Sequence, residues 1–341
     1  MGKMQFGYMM RGQFAQGDDM SVRVQELCEQ ARLLEKLGYD SLGKGSHYAS
    51  APLQDLQQLP LLSRMMAEAP SLRLIAGIIL LPLHKPLDLA EQTATIDVMS
   101  GGKFVFGVGL GYREVEFRAF DTTTKARVRR FEENLEAIKR LWTEDSVTMK
   151  GSHFELMDAS ISLRPKQRPW PPIWIGANAD AGVERAARLG DCWYIPAHNR
   201  LDEITRQVDV YKRALDKAGK PMPDELPMRR EVFVARTREE ALRICRPFLE
   251  VKYKVYHQWG QSEAMPEGDG LGLDFDDLLK DRFLIGSPDE VAESLLRIAK
   301  PTGVNHFIVS LQWPGMSNSI ALDAISLFAE EVMPKVRQGL S

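Results

Sequence analysis

Six histidines, His47, His84, His153, His198, His257 and His306, are the side chains of this sequence best suited to moving protons near neutral pH. None forms H-E-x-x-H or stands at ligand spacing from a second histidine or a cysteine, so no metal site is expected. Cys28, Cys192 and Cys245 lie far apart without a C-x-x-C pair and read as small buried apolar residues, not as a disulfide framework. A G-x-S-x-G elbow and a G-x-x-x-x-G-K-[ST] phosphate loop are also missing, which removes the commonest hydrolase and nucleoside-triphosphatase readings. The remaining signal lies in glycine. In Ser100–Phe120, SGGKFVFGVGLGYREVEFRAF, the apolar run Phe104-Val105-Phe106 leads into alternating Gly107, Gly109 and Gly111, then a polar turn and a helical segment. Without a Cβ, glycine allows φ > 0 and lets backbone N–H groups come close to an anion or a flat ring. Taken alone, the motif fits a tight strand-to-helix corner equally well.

The elements that must position these residues alternate along the whole chain. Gln5–Met10 reads as a strand, followed by a helix from Ser21 to Leu37 that Gly38 stops. Asp40–Gly45 is a second strand, Leu53–Glu68 a helix, and Leu72–Leu81 so uniformly aliphatic that both its faces must be covered, as in a parallel sheet. Pro86 opens the next helix, to Met99, and the glycine stretch follows. A long amphipathic helix from Lys125 to Trp142 precedes a small hairpin at Val147–Leu156. Strands at Ile173–Gly176, Cys192–Ile195, Glu231–Ala235 and His306–Leu311 alternate with helices at Ala179–Leu189, Leu201–Ala218, from Arg238, and at Ile320–Val332. The S-P-D-E run at Ser287–Glu290 is a helix start, with an N-cap, a first-turn proline and a capping-box glutamate.

Eight strand-helix units in 341 residues predict a single α/β domain over 1–341, a (β/α)8 TIM barrel rather than an open doubly wound sheet. In the open sheet the glycine loop would follow the first strand, not the fourth. Between strands 7 and 8 the segment 254–280, with the polar run QSEAMPEGDG, is too long for a plain connection and reads as a lid or insertion loop. In such a barrel the site is built on the loops after the strands. Three clusters then share one mouth: Gly45-Ser46-His47-Tyr48, Gly107–Arg113 and Gly176-Ala177-Asn178-Ala179-Asp180, the last running into a helix N-terminus that favours a phosphate.

Charge and hydropathy limit the partners. With 44 basic and 47 acidic side chains the formal charge is -3, so neither nucleic acid nor an anionic membrane is an expected partner. The start MGKMQFGYMM lacks a signal-peptide pattern. The longest apolar run, Leu74–Leu83, is interrupted by Pro82 and is about half of what a spanning helix needs. A cytoplasmic location is expected.

The chain resembles the bacterial luciferase-like monooxygenase family, flavin- or deazaflavin-dependent (β/α)8 proteins, over nearly its whole length. The resemblance is carried by SGGKFVFGVGLGYREVEFRAF, by RRFEENLEAIKRLWTED, by PPIWIGANADAGVERAARLGDCWYIP, and by FLIGSPDEVAESL followed by GVNHFIVSLQWPGM, in that order. It implies a flavin across the barrel mouth, FMN or alternatively a 5-deazaflavin coenzyme. Gly109, Leu110, Gly111 and Tyr112 would supply backbone or ring contacts, and Asn178, Ala179 and Gly182 contacts at a helix N-terminus. Relatives often carry arginine where Leu110 stands, so here the phosphate is left to backbone amides. The resemblance also places a non-proline cis peptide at Gly77–Ile78, under the isoalloxazine ring, and makes His47 the catalytic side chain, although the usual E-H-H run is reduced to Ser46-His47-Tyr48. Tyr112, Arg113 and Trp193 are candidate lining residues; His84 is structural or substrate-contacting.

The expected activity is that of a flavin-dependent oxidoreductase, a two-component monooxygenase using reduced FMN and dioxygen on a small organic substrate. No Rossmann-type nicotinamide site accompanies the barrel, so a separate flavin reductase is the expected partner, and a homodimer or higher homo-oligomer the expected assembly. A deazaflavin-dependent hydride-transfer oxidoreductase and a non-catalytic flavin-binding protein are the alternatives.

Overall fold

Strand β4, Phe104–Gly109, which carries the glycine motif, pairs in parallel with strands on both sides, and following those neighbours leads round a barrel. The computed structural model describes residues 3–266 and 269–340. Its barrel strands are β1 (Gln5–Met10), β2 (Ser41–Lys44), β3 (Arg73–Ala76), β4, β5 (Ile173–Gly176), β6 (Cys192–Tyr194), β7 (Pro227–Val234) and β8 (His306–Ser310). Consecutive strands pair in parallel from β1 to β6, and β7 pairs with β8, which returns to β1. Between β6 and β7 the ring closes through one bridge, Ile195 opposite Met228, with the Ile195 N–H donating to Pro227 and the Arg229 N–H to Ile195, both at 2.9 Å. The expected eight-stranded closure is therefore present.

The helices are α1 (Met20–Lys36), α2 (Gln58–Glu68), α3 (Pro86–Met99), α4 (Glu114–Ala119), α5 (Arg127–Thr143), α6 (Asp180–Leu189), α7 (Leu201–Ala218), α8 (Arg238–Gln258), α9 (Phe275–Leu279), α10 (Pro288–Thr302), α11 (Asn318–Leu327) and α12 (Met333–Gly339). The S-P-D-E start of α10 forms both halves of its capping box, Ser287 with the Glu290 N–H and Glu290 with the Ser287 N–H. Alternation sorts the strand residues to two sides. Met9, Ile75, Val105, Trp174, Tyr194 and Ile308 fill the barrel interior, while Phe6, Leu42, Leu74 and Phe106 pack in the larger core that includes the helices.

Several boundaries move. The aliphatic run Leu72–Leu81 is two pieces, β3 and a two-residue strand at Ile79–Leu80, parted by a cis Gly77–Ile78 peptide. Strand β7 begins four residues before the periodicity places it, because Arg229 and Arg230 hide it from a search for apolar alternation. A short strand Leu284–Gly286, paired with the end of β7, was not expected, since three residues are too few to show a period. The segment 254–280 opens as the last turns of α8, continuous through Pro247, and contains a 3₁₀ turn at Gln261–Ala264 and α9. Glu267 and Gly268, within the expected lid, lie outside the described residues. Among the described residues no helix is long and apolar enough to cross a membrane.

The amino-terminal end of the barrel is tied by a triad of buried His306 with half-buried Glu225 and Arg73. His306 donates from Nδ1 to Glu225 at 2.7 Å and faces Ser41 Oγ with Nε2 at 2.8 Å, and Arg73 donates to the same carboxylate at 2.7 Å. Burial by itself would raise the Glu225 carboxyl, but His306 and Arg73 outweigh it and hold it down to about 2. A carboxyl depressed from 4.5 stabilises the fold above that pH and loses its contribution as pH falls towards about 2. Urea unfolding between those limits should therefore show a steeper loss for the natural chain than for Glu225→Gln. Parallel curves would remove the triad from the acid response.

Candidate active site

The three loop clusters meet at the carboxyl ends of the strands, round a cavity of about 460 Å³. That volume falls within the roughly 300–1,000 Å³ typical of small-molecule and cofactor sites. Its floor begins at β3. Gly77 and Ile78 line it, and the half-buried Ile78 side chain is seated in a groove that two other strands leave open by lacking side chains. A Cβ on Gly109 would lie 1.9 Å from Ile78 Cδ1, and one on Gly176 would lie 3.2 Å from Ile78 Cγ2. The three alternating glycines thus have three different reasons. Gly107 admits the β3 backbone, since a Cβ there would stand 1.9 Å from the Ala76 carbonyl oxygen; Gly109 makes room for Ile78; Gly111, at φ +76, turns the chain towards α4. Gly109 lies behind the cavity wall, whereas Leu110, Gly111 and Tyr112 line it.

His47, at the end of β2, lines the same cavity with its side chain 16% exposed. Its Nδ1 is 3.0 Å from Glu116 Oε1, and that fully buried oxygen also accepts from the Tyr48 N–H at 3.0 Å and from Arg113 at 3.2 Å. A carboxylate can only accept, so the Nδ1 proton points to Glu116 and Nε2 remains as the nitrogen free to give or take a proton. Trp259 stacks edge-on at 5.3 Å from the imidazole and lies 3.9 Å beneath the Arg113 guanidinium, which closes that side with aromatic surface. Glu116 was not singled out in the sequence. The only local signal is its spacing three residues after Arg113 on the first turn of α4.

The β4–β5 side is built for an anion. Asn178, Ala179 and Gly182 line it, and Ala179 caps α6 without a side-chain hydrogen bond, so the Asp180 and Ala181 N–H groups are left for a ligand while the Gly182 N–H donates to the Ala179 carbonyl at 2.8 Å. Gly182 fits because a Cβ there would be 2.8 Å from Ala177 Cβ. Asp180, whose charge would oppose a phosphate, is turned away to Arg206 at 2.6 and 2.8 Å, which holds its carboxyl below the usual range. The expectation of backbone amides alone is incomplete. Arg127 and Arg185 line this end as well, the first donating to the Gly111 carbonyl at 3.1 Å and the second paired with Glu132 at 3.2 Å. They come from the first residue of α5 and the middle of α6, where a helix pattern reads them as ordinary surface charge.

Other candidates have other duties. Arg113 does not line the cavity; it carries the loop after β2 through the Tyr48 and Ala49 carbonyls at 2.7 and 3.1 Å. Trp193 is fully buried and donates to Ala177 at 3.0 Å, so it is core that fixes the loop after β5. His84 lies in a separate recess near Tyr48, its imidazole pushed down to about 4 by burial, and is neutral at neutral pH. Among the described residues no group of three or more histidine, cysteine or carboxylate side chains could hold a metal.

Opposite the anion end, β7, α8 and β8 present a polar wall that sequence reading missed: Arg229, Lys252, Ser310 and Gln312, with Trp313 beyond them. Fully buried Glu231 accepts from Lys252 Nζ and from Trp313 Nε1 at 2.6 Å. Burial would raise its carboxyl, but Lys252 and Arg229 bring it down to about 2. His198 is pushed down to about 3 by burial beside Arg229 and Lys252, and is also neutral.

These residues fit a flavin-type coenzyme. An apolar seat at Ile78 and Leu80 suits a flat ring, the α6 N-terminus and Arg127 suit a phosphorylated tail, and the buried Tyr112 and Tyr194 hydroxyls, which have no protein partner, suit the polar ring edge. Such a barrel with such a mouth defines a flavin- or deazaflavin-dependent oxidoreductase. The chain belongs to the luciferase-like monooxygenase family, whose sequence profile matches residues 4–306. It is 28% identical over 290 residues to an FMNH(2)-dependent dimethylsulfone monooxygenase of Pseudomonas putida, covering 80% of this chain and 77% of that one. To an F420-dependent glucose-6-phosphate dehydrogenase of Amycolatopsis mediterranei it is 26% identical over 329 residues, 92% of this chain and 94% of that one. In fold it is similar to the oxygenating constituent of 3,6-diketocamphane monooxygenase from Pseudomonas putida, with a TM-score of 0.79 at 18% identity over 98% and 99% of the two chains.

Proposed function

We propose that this chain is the oxygenase component of a two-component monooxygenase, receiving reduced FMN from a separate reductase and transferring one oxygen atom of dioxygen to a small organic substrate. The observation that supports this reading is the similarity to the FMNH(2)-dependent dimethylsulfone monooxygenase, joined to a cavity that His47, oriented by Glu116, and Ile78 line together. Reduced FMN, when bound, supplies the two electrons that dioxygen chemistry needs; the second oxygen atom leaves as water. The chain's own part is to bind, orient and move protons. Ile78 and Leu80 would hold the ring face, and the first α6 amides with Arg127 would hold the phosphate. Tyr112, Tyr256 and Trp259, which surround the imidazole at ring distances of 5.3–6.2 Å, keep bulk water from the reacting face. His47 Nε2 takes or returns the proton that the substrate exchanges.

One observation favours a second reading, hydride transfer with a 5-deazaflavin coenzyme. A histidine fixed by a buried carboxylate is also what alcohol oxidation requires, to take the hydroxyl proton as hydride leaves the carbon. Calorimetric titration with FMN and with F420 separates the two, followed by stopped-flow mixing of the reduced complex with dioxygen. Monooxygenation requires FMN affinity and a transient absorbance distinct from both oxidised and reduced flavin. Direct reoxidation without it, substrate present, would overturn the oxygenase reading. A cytoplasmic location and a homodimer or higher homo-oligomer formed through the outer helices belong to the same proposal, and sedimentation of the purified protein checks the assembly.

A further inference from the structure

The wall formed by β7, α8, β8 and the ends of β1 and β2 carries more positive charge than its own carboxylates balance. Four cations line the cavity there, Arg11, Lys44, Arg229 and Lys252. Lys44 is paired with Asp55 at 3.0 Å, and Lys252 is taken by Glu231. Arg229 is left with only a 3.6 Å approach to the Glu231 oxygen that Lys252 already occupies. Arg11 has no carboxylate partner among the described residues. One of its terminal nitrogens donates to the Trp313 and Met316 carbonyls at 2.7 and 3.3 Å, and its buried Nε has no acceptor. Glu263, exposed on the 3₁₀ turn beyond α8, also reaches the cavity, and even with it counted the cations outnumber the carboxylates. Arg11 is 8% exposed and the Arg229 side chain 20% exposed, so an anion joining them would supply the counter-charge that the wall's own carboxylates leave short. The neighbouring hydroxyl is set for the same partner: Ser310 Oγ accepts from Arg229 at 3.3 and 3.4 Å, which turns its proton outward to donate.

We infer that the substrate of this site is an organic anion, a carboxylate, sulfonate or phosphate on an apolar body, whose head group is bound by Arg229 and Ser310 with Arg11 behind them. The apolar body then lies along Met9, Tyr194 and Tyr256, and the reacting carbon between His47 and the Ile78 seat. With Nε and one terminal nitrogen of Arg229 donating to Ser310, its other terminal nitrogen keeps N–H groups for an oxyanion. This assignment rests on the coenzyme's phosphate occupying the β4–β5 end, as proposed above. Burial lowers the Arg11 guanidinium to about 10, whereas at Arg229 burial is outweighed by the Glu231 charge, which holds it above its ordinary value, so the shortfall of counter-charge lies at Arg11.

The test uses the full chain saturated with FMN and a matched set of eight-carbon probes: octanoate, octane-1-sulfonate and octyl phosphate against octan-1-ol and octanamide, with binding read by tryptophan fluorescence and calorimetry. The anions should bind at least about tenfold more tightly than the neutral probes, a preference that weakens with salt. Arg229→Gln should abolish it while leaving FMN and octanol affinities as they were, and Arg229→Lys should retain part of it. Equal affinity for octanoate and octanamide, or a preference that survives Arg229→Gln, overturns the inference; so does a preference lost in Arg127→Gln, which would place the anions at the coenzyme's phosphate end. If Arg229→Gln fails to fold, Ser310→Ala must show the same loss to a smaller extent. Should the chain bind no flavin, the coenzyme reading fails, and the same comparison on the free protein still decides the anion site.

Discussion

Replacing His47 by alanine is expected to lower turnover by roughly 10²–10⁴-fold, the range for loss of a positioned acid-base group, while coenzyme affinity stays essentially unchanged. The imidazole lines the cavity but contributes only an edge to its wall, whereas Ile78, Leu80 and the α6 amides offer the larger contact to a coenzyme. Added imidazole should restore part of the activity, because the substitution leaves space beside Tyr112, Tyr256 and Trp259 that a free ring can enter. Glu116 is a positioning residue and its replacement should behave differently. Glu116→Gln keeps an acceptor for the Tyr48 N–H but removes the charge that fixes the Nδ1 proton and balances Arg113. A fall in kcat with little change in KM is the expected result. Turnover near that of the natural chain in His47→Ala would assign His47 to the loop's structure.

The second large effect is on stability. Glu231→Ala should destabilise the chain by about 3–5 kcal/mol, as expected when one member of a buried ion pair is removed. Lys252, 7% exposed on its side chain, would lose its only carboxylate among the described residues, and the Trp313 indole N–H would lose its acceptor. Converting the pair together, Glu231→Leu with Lys252→Met, should recover the part owed to the unpaired lysine, while the Trp313 N–H still lacks its acceptor and Arg229 its approach to a carboxylate. Urea denaturation of the natural chain and the two variants checks both statements. If the double variant is as unstable as the single one, the pair is held for the Arg229 wall and not for its own balance.

Much of the fold is legible in the residues because the evidence is local. The α10 capping box, the strand Ile173–Gly176 and the helix Leu201–Ala218 stand where their patterns place them, each specified by neighbours within a few turns. The site is legible to a lesser depth. His47, Leu110, Gly111, Tyr112, Asn178, Ala179 and Gly182 reach the cavity because any residue just beyond a barrel strand must face that mouth. Gly109 shows the limit of the motif. A glycine chosen to let Ile78 lie in a groove and one chosen to approach a ligand are the same letter, and only the 1.9 Å encounter with Ile78 Cδ1 tells them apart.

What the sequence determined by itself was the alternation of strand and helix, the direction in which each apolar face turns, and the resemblance that names a coenzyme class. Tertiary structure alone decided the partners. His47 and Glu116 are 69 positions apart, and Trp313 and Glu231 are 82 apart. No period or spacing encodes such pairs, because they arise only when β2 is laid near α4, and β7 beside β8, by the closing of the barrel. Burial then gives those groups their chemistry: a carboxylate, a lysine or a guanidinium acquires its strength and its need for a partner from the water that closure removes.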